Sequence, residues 1–227
     1  MMTKQALPLS DKVMEDSPWT SNIEVYLERL FPHRKIRRVL LVNPPDGDAS
    51  IFRYDTAKRL RYPNYPPYGL AAIAQNLKEI GVEVKISNLN HEILKRCVQS
   101  RCEAEFDFDS VWKNKLDMDI VEFHPDLVGV TCMFTLTHVS FRNVCFRVKS
   151  FNIPLAVGGV HVTNDVERIL DDIPGVDIAF LSEADTAIQR FIQAVNKECS
   201  LKDLAQVIFV AGADRFRDPG SAHARRH

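Results

Sequence analysis

The chain reads as an α/β protein, a doubly wound five-stranded parallel sheet of order 2-1-3-4-5 in the flavodoxin-like or Rossmann-like manner, with a helix ahead of the first strand. Two observations predict this. Short apolar runs alternate with amphipathic segments along most of the chain, and the runs are continuous rather than alternating, as expected of strands covered on both faces. Crossovers between parallel strands must also be right-handed, which leaves this order as the natural one for five such units.

The elements follow in sequence. Residues 1–19, with Pro8 and Pro18 among mixed polar residues, read as a flexible arm. An N-terminal helix is expected within 20–35, where Ser21 and Glu24 have capping-box spacing and Ile23, Tyr26, Leu27, Leu30 and Phe31 share a face before Pro32. Arg38 to Val42, halted by Asn43-Pro44-Pro45, is strand one. A long loop rich in Arg, Tyr and Pro follows, then a helix from Gly69 to Ile80 stopped by Gly81, and strand two from Val82 to Leu89. Helical patches are expected near 92–102 and 110–123. Leu127 to Met133 is strand three, Val139 to Phe151 its helix, Leu155 to Val160 strand four, Asp165 to Asp172 a short helix, Asp177 to Leu181 strand five, and 184–197 the last helix. The α/β domain is thus placed at 36–204, and 205–227 is expected to be a disordered tail.

Composition narrows the function classes. With 227 residues, 45% hydrophobic and 26% charged, the chain can bury a sizeable core. Twenty-nine basic residues against 30 acidic ones give a net charge of −1, so no overall field draws it to nucleic acid or an anionic membrane. No eighteen-residue apolar window and no signal-peptide core occur, which predicts a cytoplasmic protein. The five scattered cysteines suit reduced thiols.

In this strand order, ligands are expected over the ends of strands one, three and four. There the sequence places Asn43-Pro44-Pro45, Thr131-Cys132-Met133 and Gly158-Gly159, the paired glycine admitting a close approach to the backbone. Neither GxGxxG nor GxxxxGKS is present, and Pro44 and Pro45 remove backbone donors that would hold phosphate. CxxC, HExxH and GxSxG are also absent, so no metal set and no catalytic constellation is assigned. The basic loop containing Arg53, Lys58, Arg59 and Arg61 leaves open an enzyme acting on a small anion, or a solvated surface.

Four segments together resemble one known family. Leu40-Leu41-Val42-Asn43-Pro44-Pro45, Tyr65-Pro66-Pro67-Tyr68-Gly69-Leu70-Ala71-Ala72-Ile73-Ala74, Asp126-Leu127-Val128-Gly129-Val130-Thr131 and Val157-Gly158-Gly159-Val160-His161-Val162-Thr163 are similar, in order and spacing, to the cobalamin-binding N-terminal domain of B12-dependent radical SAM proteins. The resemblance covers about residues 36–195. It implies a corrinoid on the carboxyl edge of the sheet, held by Asn43, Pro44, Pro45, Thr131, Met133, Thr135, Gly158, Gly159, His161, Thr163, Ser182 and Glu183. His161 would hydrogen-bond the corrin amides or nucleotide tail, or else is a half-exposed loop histidine. The loop after strand one lacks the histidine of the DxHxxG pattern that would ligate cobalt, and Leu181-Ser182-Glu183-Ala184-Asp185 replaces the family's Gly-Glu-Gly-Glu.

The partners implied are the corrinoid and a radical SAM or methyltransferase domain, because the chain lacks the three-cysteine motif of an iron–sulfur cluster. The expectation is therefore a standalone cobalamin-binding module or the front part of a longer enzyme. The alternative is a regulatory or interaction scaffold whose cobalamin site has decayed.

Overall fold

Apolar strands flanked by helices settle into one mixed sheet. The computed structural model describes residues 18–201, 204, 206–211 and 214–217. Its strands are β1 (Arg38–Asn43), β2 (Glu83–Asn88), β3 (Leu127–Thr131), β4 (Leu155–Gly158), β5 (Ile178–Phe180), β6 (Val207–Ala211) and β7 (Asp214–Arg217). They lie in the order β2-β1-β3-β4-β5-β6-β7. The first five are parallel and stand in the expected order, and β6 and β7 add to the β5 edge antiparallel.

These last two strands correct the sequence reading, which ends the domain at 204 and expects disorder from 205. Val207, Ile208 and Phe209 are fully buried and pair with β5, which orders this segment. The arm at 1–17 and the end of the tail at 218–227 lie outside the described residues.

Helix α1 (Pro18–Leu30) begins on a proline, which is tolerated where the first helical N–H needs no partner. Ser21 is therefore inside the helix rather than at a capping position. Ile23 and Leu27 are fully buried, and the Tyr26 hydroxyl donates to the Val210 carbonyl at 2.7 Å, tying the first helix to β6. Within the expected long loop a short helix α2 (Tyr54–Lys58) forms. Its Lys58 ammonium donates to the carbonyls of Val98, at 2.7 Å, and Ser100 at the end of α4 (Leu89–Gln99). Lys58 thus caps a helix C-terminus, where a cation also meets the negative end of the dipole.

The remaining helices are α3 (Tyr68–Glu79), α5 (Phe108–Phe123), α6 (His138–Lys149), α7 (Val160–Asn164), α8 (Val166–Asp172) and α9 (Asp185–Val195). The sheet divides the core into two layers. On one face Leu41, Ala156, Ile178 and Phe180 pack with α1, α3 and α9; on the other Leu40, Val128, Val130 and Val157 pack with α4, α5, α6 and α8.

Edge strand β2 is held by a buried charge. Asp119 of α5, its side chain 1% exposed, accepts from Lys115 through both carboxylate oxygens at 2.6 Å and pairs with Lys85 of β2 at 2.9 Å. Burial raises the pKa of this carboxyl, but the hydrogen bonds, that of Lys115 foremost, outweigh it and leave the group below the ordinary carboxylate range. Because the folded value is depressed, the stabilisation is complete above the unfolded value of about 3.9 and fades as pH falls through the folded one. Asp119→Ala should cost about 2 kcal/mol at neutral pH, since both lysines reach water and relax partly, and the deficit should shrink in acid. Urea unfolding at several pH values measures this; a pH-independent deficit would assign the loss to packing.

Candidate functional site

A cleft of about 600 Å³ opens at the carboxyl edge of the parallel strands and runs down between the sheet and helices α3 and α9. Its depth has a simple origin. Leu41, Gly129, Ala156 and Ile178 are directly paired across β1, β3, β4 and β5, and one step toward the carboxyl edge Thr131 pairs with Gly158. Gly129, Ala156 and Gly158 thus put minimal side chains on one face of adjacent strands, and a trough results where larger residues would fill the space. Leu70, Ile73 and Ile188 form its opposite wall.

The loop after β1 is fixed from two sides. Asn43 donates to Asn88, which in turn caps α4 by accepting from the His91 N–H. Asp46 and Asn90 exchange two hydrogen bonds, with the Asp46 N–H donating at 3.1 Å and the Asn90 amide donating to the carboxylate at 2.8 Å. Partial burial raises the Asp46 pKa, and the bond from Asn90 opposes this. On the far side the Ser140 hydroxyl donates to the Pro45 carbonyl at 2.6 Å. Asp46, Glu183 and Asp185 are the charged residues lining the cleft, and no basic side chain or histidine lines it among the described residues. The mouth is apolar: Tyr65, Tyr68 and Phe134 are 76%, 75% and 66% exposed, with Met133 and Val160 beside them. Such a rim marks a surface meant to be covered.

Asn43, Thr131 and Gly158 are the last residues of β1, β3 and β4, and Pro44 and Pro45, Met133, Gly159, and Ser182 and Glu183 follow β1, β3, β4 and β5, all around this cleft. Thr135, His161 and Thr163 lie behind its wall. His161 is neither a loop residue nor half-exposed: it sits in the short helix α7, 4% exposed, with its ring against Thr135 and His138. Thr163 accepts from the Ser182 N–H at 2.8 Å, bracing the turn after β5. Ser182 holds φ +58, a left-handed value that suits glycine, so the turn keeps a glycine-like path although the residue is serine.

Gly159 also differs from its expected role. At φ +110 and ψ 172 its missing Cβ faces the Cys132 carbonyl oxygen at 2.4 Å, so the close approach it permits is that of β3's own end. Gly158 is the glycine that leaves the cleft open, because a Cβ there would meet only Phe180, at 3.6 Å or more. The sequence reading missed the floor of Gly129 and Ala156 and the wall of Leu70, Ile73 and Ile188. A glycine inside a strand, at 129, is the signal that could have disclosed the floor.

The model of the B12 binding domain matches residues 59–192, more than half of the chain. The chain belongs to the B12-binding domain family. The match takes in Gly129, Ala156, the paired glycine and α9 as far as Ile192, while Leu41 and the 43–46 loop of the cleft precede it. Among solved structures, the B12-binding domain here superposes on the radical S-adenosylmethionine methyltransferase TsrM of Kitasatospora setae with a TM-score of 0.61 at 19% identity, covering 81% of this chain and 30% of that one. It superposes on the cobalamin-dependent S-adenosylmethionine radical enzyme OxsB with a TM-score of 0.56 at 15% identity, covering 84% of this chain and 23% of OxsB.

At those identities the shared property is the fold. An uncharacterized methyltransferase, PH0819 of Pyrococcus horikoshii, is 25% identical over 172 residues, which is 75% of this chain and 32% of that protein. The B12-binding domain therefore spans about a third of that relative.

The residues present fit a corrinoid. An apolar, open rim suits the broad face of a corrin ring, and a trough floored by glycine and alanine suits a tail that must slide close to the backbone. Neutral polar side chains at Asn43, Thr131 and Ser182 line the cleft and suit peripheral amides. Among the described residues no group of three or more His, Cys, Asp or Glu could hold a metal ion, and no helix is long and apolar enough to cross a membrane.

Proposed function

We propose that this chain holds a cobalamin in the cleft at the carboxyl edge of its sheet and presents it to a radical SAM or methyltransferase catalytic domain. The observation that carries the reading is the trough floored by Gly129, Ala156 and Gly158 in register on β3 and β4, opening beneath an exposed apolar rim. Bound there, the cofactor supplies the one-carbon or radical chemistry.

The chain's own residues do the rest. The loop at 43–46, pinned by Asn88, Asn90 and Ser140, gives the ring a fixed support. Tyr65, Tyr68 and Phe134 exclude water from its edge, while Thr131 and Ser182 orient its amides. Among the described residues no histidine lines the cleft, and its walls offer neutral and acidic side chains. TsrM, OxsB and PH0819 carry this fold or sequence within much longer proteins named for methyl transfer or radical chemistry, which supports a catalytic domain as the partner.

Titration of the purified chain with hydroxocobalamin and methylcobalamin, followed by desalting, tests the reading. One corrinoid retained per chain with a shifted visible spectrum is expected. Elution of all corrinoid in the small-molecule fraction would refute it and leave the scaffold reading in its place.

A further inference from the structure

Behind the cleft wall, two segments that line it are joined through their side chains. His161, which follows Gly158-Gly159, directs Nδ1 to the Thr135 hydroxyl at 3.2 Å and Nε2 to His138 Nδ1 at 3.1 Å. The two rings meet edge to face, with centroids 5.2 Å apart. His138 Nε2 is buried without an aligned hydrogen-bond acceptor and lies 3.3 Å from the Asp172 carboxylate of α8. Arg168 of α8 stands 3.6 Å from both Asp172 and Asp165, the latter between α7 and α8.

Only one hydrogen fits between the facing nitrogens. With both rings neutral, His161 Nε2–H donates to His138 Nδ1 and the Thr135 hydroxyl donates to His161 Nδ1. One added proton is accepted by reversing that direction: His138 Nδ1–H then donates to His161 Nε2, and His161 Nδ1–H donates to Thr135. A second proton puts N–H against N–H at 3.1 Å, and the rings must part.

We propose that the His138–His161 pair is an acid-labile latch that positions the cleft wall, holding the 133–137 segment to α7 until both imidazoles are protonated. The segment carries Met133, Phe134 and Thr137 into the cleft, while α7 follows Gly158 and Gly159. Backbone bonds from Cys132 N–H to Gly158 and from His161 N–H to Cys132 anchor the base of this wall, so opening moves the tip. Around His161, burial, His138 and Arg168 oppose protonation and Asp165 favours it, while Asp172 and Arg168 of α8 are the charged groups that face His138 and its carboxylate partner. Burial and then His138 set the balance for His161, whose pKa lies below its ordinary value. Protons are therefore taken up more readily by the opened wall, and acid opens it.

The consequence for binding rests on the corrinoid reading, but the latch does not. Ring resonances of the seven histidines in the ligand-free chain, followed by NMR against pH, should show two coupled imidazoles, the second protonating at least about one unit below the first. Independent titration of every imidazole near the ordinary value of about 6.5 would overturn the latch. Hydroxocobalamin affinity should fall at least about tenfold between about pH 8 and pH 5.5, and less than about threefold in His138→Asn, which keeps a hydrogen-bonding side chain without titrating. An equal pH slope in the variant and the parent would also overturn the latch. Failure to bind at any pH would sink the corrinoid reading and leave the ring titration to decide the latch.

Discussion

Gly159→Ala should destabilise the chain by about 3 kcal/mol or more, the largest effect expected of a Gly→Ala change among the described glycines. Two independent costs coincide there. The backbone sits at φ +110 and ψ 172, a region essentially closed to residues with a Cβ. That Cβ would lie 2.4 Å from the Cys132 carbonyl oxygen, 2.9 Å from its carbon and 3.0 Å from Thr131 Oγ1. The first two atoms belong to backbone at the end of β3, where Cys132 N–H already donates to Gly158, so no rotamer change relieves the contact. Gly158→Ala is the matched control, because its Cβ would make ordinary contacts with Phe180 and no positive φ is involved. It should cost less than about 1 kcal/mol. Urea midpoints of the two variants measure the contrast, and equal losses would refute the backbone argument.

The same pair of glycines shows how far the sequence could be read. A strand ending in Gly-Gly announces that something approaches the backbone, and it does, but the pattern has no way to say whether that is a ligand or a neighbouring strand. At 159 it is the strand, because the carbonyl of Cys132 occupies the space. Strand order was legible because parallel buried strands and right-handed crossovers leave few arrangements. The residues expected at the strand ends, Asn43 to Pro45, Thr131, Met133 and Gly158, come from that order, since the parallel strands end on one edge; Tyr65, Tyr68 and Phe134 of the rim do not.

The trough floor was not legible, because Ala156 reads simply as a core residue of a strand. Its meaning comes from pairing with Gly129 on the neighbouring strand, a fact of register. His161 was misplaced for a related reason. Val160 was read as the strand's last residue, whereas the chain turns into α7 there and carries the imidazole behind the wall. Strand β6 was present locally as Val207-Ile208-Phe209-Val210, and the polar, arginine-rich residues after it obscured a segment whose order comes from pairing with β5.

Ala156→Leu should abolish retention of hydroxocobalamin, raising its dissociation constant by at least about 30-fold, while leaving the fold intact. Ala156 lies at the centre of the trough, paired with Gly129 on one side and Ile178 on the other, and its Cβ shares their face of the sheet. A leucine there fills the trough from its floor. Ala156 is itself only 1% exposed, so the added carbons also crowd Leu70 and Ile188, and a cost of about 1–3 kcal/mol in urea unfolding is expected beside the loss of binding. Val128→Leu supplies the contrast. It adds one carbon, against three for Ala156→Leu, on the opposite face, where Val128 is fully buried in a closed layer with α4, α5, α6 and α8, so overpacking should cost about 1–3 kcal/mol. Its folded fraction should bind normally. Two destabilising enlargements on neighbouring strands should thus differ in binding, lost for Ala156→Leu and kept for Val128→Leu, a pattern that general damage to the protein does not produce. Undiminished retention by Ala156→Leu would show that the rim alone holds the corrinoid and that the trough is not where its tail lies.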